Sequence, residues 1–157
     1  MKIKIKKLDQ KAVIPHYSKP GDAGLDLTAI SIKHVGDYIE YNTGLSFEIP
    51  EGHVGLIYPR SSNSNQDLIM SNSVGVVDSG YRGPIKIRFK RILNPTDHDT
   101  STDLAIITAS SFSKYYEVGD RIAQMIIMPY PKVEFEEVEE LVETERGLGG
   151  FGSTNNK

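Results

Sequence analysis

Apolar residues along this chain come in short bursts separated by turn formers. Residues 2–6 alternate Lys and Ile, which places Ile3 and Ile5 on the inner side of a half-buried strand. Gly24-Leu25-Asp26-Leu27-Thr28 reads as a second short strand after the turn Lys19-Pro20-Gly21-Asp22. Further apolar runs lie at 44–49, 54–58, 74–77, 85–89, 104–108 and 122–128. Between them stand Pro50-Glu51-Gly52, residues 61–67, Asp78-Ser79-Gly80, residues 94–101 and Gly119-Asp120. Short strands punctuated this way predict a β sandwich or barrel of jelly-roll type. One or two helical turns fit around 110–116. No long amphipathic helix and no fixed-period repeat is visible.

Composition strengthens the β reading. Ile and Val together number 27 against 16 for Leu and Ala, and with Thr, Tyr and Phe the strand-favouring set reaches 48 of 157 residues. That length corresponds to one domain. Cysteine is absent, which excludes disulfide scaffolds, thiolate zinc sites, iron–sulfur clusters and cysteine nucleophiles. No apolar stretch approaches a membrane span, and the Lys-rich N-terminus has no apolar run of signal-peptide type, so the expectation is a cytoplasmic protein. Net charge is −3 but uneven: residues 134–145 hold seven glutamates and no base, leaving 14 acids and 18 bases elsewhere. That body attracts a polyanionic small molecule and is not basic enough for duplex DNA.

Several chemical signatures dissolve on inspection. Gly147 to Gly152 spells G-x-G-x-x-G, and Gly147 to Thr154 nearly spells a P-loop. Only three residues follow Thr154, so neither has the helix it needs. The amide-rich segment can still bind anions, with Arg146 as its charge and the Ser153 and Thr154 hydroxyls as donors, although a frayed tail is the commoner fate of such a terminus. Val76-Val77-Asp78-Ser79-Gly80 resembles a retroviral-type aspartic protease signature, but Tyr81-Arg82-Gly83 continues it wrongly. His16, His34, His53 and His98 have no ligand spacing, and no G-x-S-x-G elbow is present.

Two carboxylates stand out: Asp26 inside an apolar segment, and Asp78 at the end of an apolar run. Each is weak alone, as is Pro59-Arg60-Ser61-Ser62. In order along the chain lie Ala23-Gly24-Leu25-Asp26-Leu27, Pro59-Arg60-Ser61-Ser62, Gly75-Val76-Val77-Asp78-Ser79-Gly80-Tyr81-Arg82-Gly83, Gly119-Asp120-Arg121-Ile122-Ala123-Gln124, and Arg146-Gly147 followed by Gly150-Phe151-Gly152-Ser153-Thr154. This set closely resembles the five ordered motifs of the homotrimeric dUTPases, over nearly the whole chain. Asn155 where a glycine is usual, Pro84 where a polar residue is common, and a long polar segment at 94–113 are departures.

The resemblance implies an all-β distorted jelly-roll over residues 1–133, and an acidic linker with a glycine-rich arm over 134–157 that closes a neighbouring subunit's site. It implies hydrolysis of dUTP to dUMP and pyrophosphate, keeping uracil out of DNA and supplying dUMP for thymidylate synthesis. Asp78 would be the general base, Tyr81 would pack on the deoxyribose, and Asn72 with the backbone of Gly75, Val76 and Val77 would read uracil. Lys86 would line that pocket. Arg60, Ser61, Ser62 and Gln124 would hold phosphates, and Arg146, Phe151, Gly152, Ser153 and Thr154 would arrive on the arm. Magnesium would be held mainly by the phosphates, with Asp26 reaching it through water. Related deoxycytidine triphosphate deaminases use a glutamate where Arg88 stands, which argues against deamination. A dUTPase-like regulator that binds a protein partner, with nucleotide as the switch, is the alternative of another class.

Overall fold

The computed structural model describes residues 1–92 and 114–150. Among these residues the chain forms ten strands: β1 Lys4–Lys7, β2 Leu25–Thr28, β3 Ser31–Val35, β4 Tyr38–Asn42, β5 Leu45–Glu48, β6 His53–Pro59, β7 Leu68–Met70, β8 Gly75–Val77, β9 Lys86–Arg91 and β10 Arg121–Pro129. A 3₁₀ turn, Ser61–Asn65, follows β6. All pairings are antiparallel, in sheets ordered β1-β5, β2-β10-β6-β8 and β3-β4-β9-β7. This is the all-β jelly-roll type read from the sequence. The run at 104–108 and the segment 94–113 lie outside the described residues.

Three strands had no counterpart in the apolar runs: β3, β4 and β7. The β3–β4 hairpin turns on Gly36-Asp37, where Gly36 takes a φ of 56° that its missing side chain permits. Its pattern is hard to read because Glu40 of β4 is buried between Ile39 and Tyr41. The helical turn expected around 110–116 does not form over 114–116. Instead the Lys114 N–H donates to the Asp67 carboxylate and its carbonyl accepts from the Asp67 N–H, both at 2.9 Å. Ile92 N–H also donates to the Asp67 carbonyl at 2.9 Å, so both flanks of the long polar segment meet at one residue.

The core follows from strand alternation. Ile87 and Phe89 point inward between exposed Lys86, Arg88 and Lys90, and Tyr41, Phe89 and Tyr116 form an aromatic cluster with centroids 5.6–6.1 Å apart. The Tyr41 hydroxyl donates to the Tyr116 carbonyl at 3.2 Å, and burial pushes its phenol up to about 12. The Tyr116 hydroxyl in turn donates to Asn63 Oδ1 at 3.3 Å, which ties the core to the 3₁₀ turn. Beyond Pro129 the described chain has no regular structure, and every residue from Tyr130 to Leu148 is exposed.

Candidate active site

One cleft lies on the outer face of the sheet β2-β10-β6-β8. Asp26 on β2 pairs with Gln124 on β10, which pairs with Tyr58 on β6, so the three side chains form a row. They line a cleft of about 700 Å³ together with Arg60 and Ser61 at the end of β6. Arg60 Nε donates to Asp26 Oδ1 at 2.7 Å and its Nη1 donates to the Ser62 hydroxyl at 3.2 Å. Arg121 Nη1 donates to Asp26 Oδ2 at 3.0 Å. A register shift in β10 between Arg121 and Ala123 turns Ile122 and Ala123 both inward and leaves Arg121 outside with Gln124. Gln124 Nε2 donates to the Pro59 carbonyl at 3.0 Å, and a Cβ at position 24 would overlap the Gln124 amide oxygen, so Gly24 is what makes room for that side chain.

The second cleft, about 190 Å³, is lined by Asn72, Gly75, Val77, Asp78, Tyr81 and Lys86 among others. Asp78 leaves β8 and starts a turn closed by the Tyr81 N–H donating to the Asp78 carbonyl at 3.0 Å. Arg82 braces that turn, its Nη1 donating to the Ser79 and Tyr81 carbonyls at 2.6 and 2.9 Å. The buried Ser46 hydroxyl donates to the Arg82 carbonyl at 2.7 Å. The Tyr81 hydroxyl donates to the Pro84 carbonyl at 3.1 Å, and the ring crosses Gly83 where a Cβ would overlap it. Ser73 carries the positive φ, 57°, of the turn that presents Asn72 to the cleft.

Lys86 reaches this cleft under restraint, because its Nζ donates to Glu40 Oε1 at 2.9 Å. Arg88 takes the other oxygen at 2.8–2.9 Å. Lys86, with help from Arg88, holds the Glu40 carboxyl below the usual range against the opposing effect of burial.

The expected site residues therefore separate into two groups. Asp26, Arg60, Ser61, Ser62 and Gln124 gather at the first cleft, and Asn72, Gly75, Val76, Val77, Asp78, Tyr81 and Lys86 at the second. The clefts share no residue, although they take adjacent positions of β6: Tyr58 belongs to the first and Ile57 to the second. Arg146 lines neither, and its Nε donates to the Gly149 carbonyl at 3.1 Å on the exposed arm. Phe151, Gly152, Ser153 and Thr154 lie outside the described residues. Sequence reasoning missed Arg121, although it stands in the quoted fourth motif, and Glu40, for which the sequence offers no signal.

The antiparallel jelly-roll thus carries two separate polar clefts, one lined by hydroxyls, Arg60 and Asp26 and the other bearing Asp78. The dUTPase family profile matches residues 10–101 and 92–155. A deoxyuridine 5'-triphosphate nucleotidohydrolase of Nautilia profundicola is 40% identical over 157 residues, covering 98% of this chain and 99% of that protein. Among solved structures, a mutant dUTPase of Staphylococcus bacteriophage 80alpha with dUpNHpp superposes with a TM-score of 0.76 at 26% identity, covering 98% of both chains. A mutant dUTPase from phage phi11 of S. aureus, which shows the coordination of a structural Mg(II) ion, gives 0.68 at 25%, covering 89% of this chain and 98% of that one. The chain belongs to the dUTPase family. Its activity is hydrolysis of dUTP to dUMP and pyrophosphate.

Proposed function

We propose that the two clefts are halves of one site and that catalysis requires two copies of the chain to bring them together, with the arm of a third closing over them. The observation that carries this is the split itself, which leaves the residues for base and sugar in one cleft and those for phosphates in another. The outer face of the sheet β2-β10-β6-β8 supports it. Val54, Leu56, Ile126, Met128 and Val76 point outward there, with Met128 43% and Val76 64% exposed. Ile126 borders the anion cleft and Val76 borders the Asp78 cleft, so pairing copies across this face sets one cleft against the other. Asp78 and Asn72 are exposed in the single chain, whereas a site that reads a base needs water removed.

In the closed site Asp78 takes a proton from water as it attacks the α-phosphorus, and the pyrophosphate leaves. Arg60, Ser61, Ser62 and Gln124 hold the phosphate oxygens, with Asp26 and Arg121 fixing the direction of the Arg60 guanidinium. Asn72 and the backbone of Gly75, Val76 and Val77 read the uracil edge, Lys86 lines the same pocket, and the Tyr81 ring fills the space a 2'-hydroxyl would need. Arg146, Phe151 and the Gly152-Ser153-Thr154 donors close over base and terminal phosphate. Among the described residues no three His or carboxylate side chains come together as a metal centre. Both Asp26 oxygens already accept from guanidiniums. Asp26 would therefore meet a magnesium ion brought by the triphosphate only through water, and the ion would offset the repulsion between anionic nucleophile and substrate. Residues 1–133 act as the catalytic body and 134–157 as linker and arm, and the cytoplasmic nucleotide pool is where the substrate is met.

The test is turnover followed by chromatography with magnesium present. dUTP should give dUMP and pyrophosphate while UTP, dCTP and dTTP stay intact. Sedimentation of the same sample should give a trimer, and a fully active monomer would overturn the shared site.

A further inference from the structure

Arg60, Ser61 and Ser62, three of the residues proposed for the phosphates, stand on or beside a 3₁₀ turn that has no core of its own. The turn Ser61–Asn65 is five residues long and none of them is buried. The Arg60 side chain makes no capping bond to it, reaching Asp26 and the Ser62 hydroxyl instead. So short a 3₁₀ piece has little stability by itself, and its direction has to be fixed from outside. Among the described residues the bonds that tie it to the interior meet at one side chain. Asn63 Nδ2 donates to the Leu68 carbonyl at 3.0 Å, and Asn63 Oδ1 accepts from the Tyr116 hydroxyl at 3.3 Å. Both partners are core residues, Leu68 1% exposed and Tyr116 4%.

Tyr116 is a firm post for that bond. Its ring packs against Tyr41 and Phe89, and its carbonyl accepts from the Tyr41 hydroxyl. Two residues earlier Lys114 is clasped to Asp67 in both directions, and Asp67 follows the turn by two residues. Burial pushes the Tyr116 phenol up, against the Ser62 hydroxyl and the Arg60 charge beside it, so the phenol stays protonated and able to donate.

We propose that Asn63 and Tyr116 are positioning residues for the phosphate half of the site, the Tyr116 hydroxyl acting through Asn63 to aim the turn and its Arg60, Ser61 and Ser62 into the anion cleft. Neither residue lines that cleft. The effect passes through the backbone, because the Asn63 N–H donates to the Arg60 carbonyl at 2.9 Å and its carbonyl accepts from the Gln66 N–H at 3.0 Å. A shift of Asn63 therefore reaches both ends of the turn. The inference rests on the reading in which Arg60, Ser61 and Ser62 hold phosphates. It adds what holds them in line.

The experiment uses the full-length protein, with dUTP and magnesium in the assay and pyrophosphate and deoxyuridine as separate competitive inhibitors. Tyr116→Phe removes one hydroxyl and leaves the ring in its cluster, whereas Asn63→Ala removes both bonds. Tyr41→Phe is the control, since its hydroxyl belongs to the same cluster and does not reach the turn. Tyr116→Phe should weaken inhibition by pyrophosphate about 5- to 10-fold and lower kcat/KM for dUTP by a similar factor. Inhibition by deoxyuridine, which reports on the other cleft, should stay within about twofold, a split that general loss of structure would not give. Asn63→Ala should act at least as strongly, and adding Tyr116→Phe to it should change pyrophosphate inhibition by no more than about twofold, because the hydroxyl then has no acceptor on the turn. Tyr41→Phe should lower the melting temperature and leave pyrophosphate inhibition as in the parent. Unchanged pyrophosphate inhibition in Tyr116→Phe, an equal loss in Tyr41→Phe, or additive losses in the double variant would overturn the positioning role. Ser61→Ala with Ser62→Ala is run in parallel. If it weakens pyrophosphate inhibition while Tyr116→Phe is silent, only the positioning role falls. If it is silent too, the phosphate reading beneath the inference fails.

Discussion

Gly83 offers a way to move one ring of the proposed site without disturbing the fold. Its φ lies outside the left-handed region, so alanine suits the backbone. The obstacle is Tyr81, whose Cζ and Cε2 would stand 2.6 and 2.9 Å from the new Cβ. Ordinary contact needs roughly 3.5–4 Å, so the ring must retreat by about 1 Å. Nothing but the outer end of that side chain has to yield. The cost to stability is then the single hydrogen bond from the Tyr81 hydroxyl to the Pro84 carbonyl, about 1 kcal/mol at a site open to solvent. A displacement of that size among positioned groups costs on the order of 10²-fold in rate. Gly83→Ala should therefore lose between ~10- and 100-fold in kcat/KM for dUTP while its melting temperature falls only a few degrees. If the ring is what excludes a 2'-hydroxyl, the preference for dUTP over UTP should shrink at least tenfold as well. Parallel kcat/KM measurements on the two nucleotides, with a thermal melt, decide it. Parental selectivity in a folded Gly83→Ala protein would refute the assignment of Tyr81 as the sugar gate.

Asp78→Asn should lower turnover by roughly 10²–10⁴ while nucleotide binding, read by calorimetry, persists, because the amide keeps the shape and loses the basicity. Glu40→Gln should cost about 1–3 kcal/mol at pH 7 by removing a charged acceptor from Lys86 and Arg88. Because the folded-state pKa of Glu40 is lowered, its contribution is present above the ordinary value of 4.5 and fades as pH falls through the folded value; urea melts of parent and variant should therefore converge in that acid range. Phe151→Ala should reduce kcat/KM by about 5- to 150-fold, the worth of one base–aromatic stack, without affecting a thermal melt.

The sequence exposed those parts of the fold where alternation is clean. β6, β8 and β10 are apolar runs and β9 alternates basic and apolar residues; Gly, Pro or Asp flanks each, and they carry or flank most of the candidate site residues. β3 and β4 escaped because Lys33, His34 and Glu40 break the pattern, and a glutamate on the outer face becomes buried only once Lys86 and Arg88 are brought beside it by pairing with β9. Residue types in order pointed to the candidate site residues, but local motifs carry no information on which faces of a sheet they share. That Ile57 and Tyr58 send their neighbours to different clefts is a consequence of strand pairing. The same holds for Arg121, which reaches Asp26 because β10 shifts register immediately after it.

A site assembled from different subunits is tested most directly by mixing two inactive proteins. One is truncated before Arg146, so it keeps Asp78 and lacks the arm. The other carries Asp78→Asn and keeps the arm. After unfolding and refolding together, mixed trimers should regain dUTP turnover, since some pair an intact Asp78 with the arm of a neighbour. Mixed trimers that form, as shown by native mass measurement, and remain inactive would contradict the shared site.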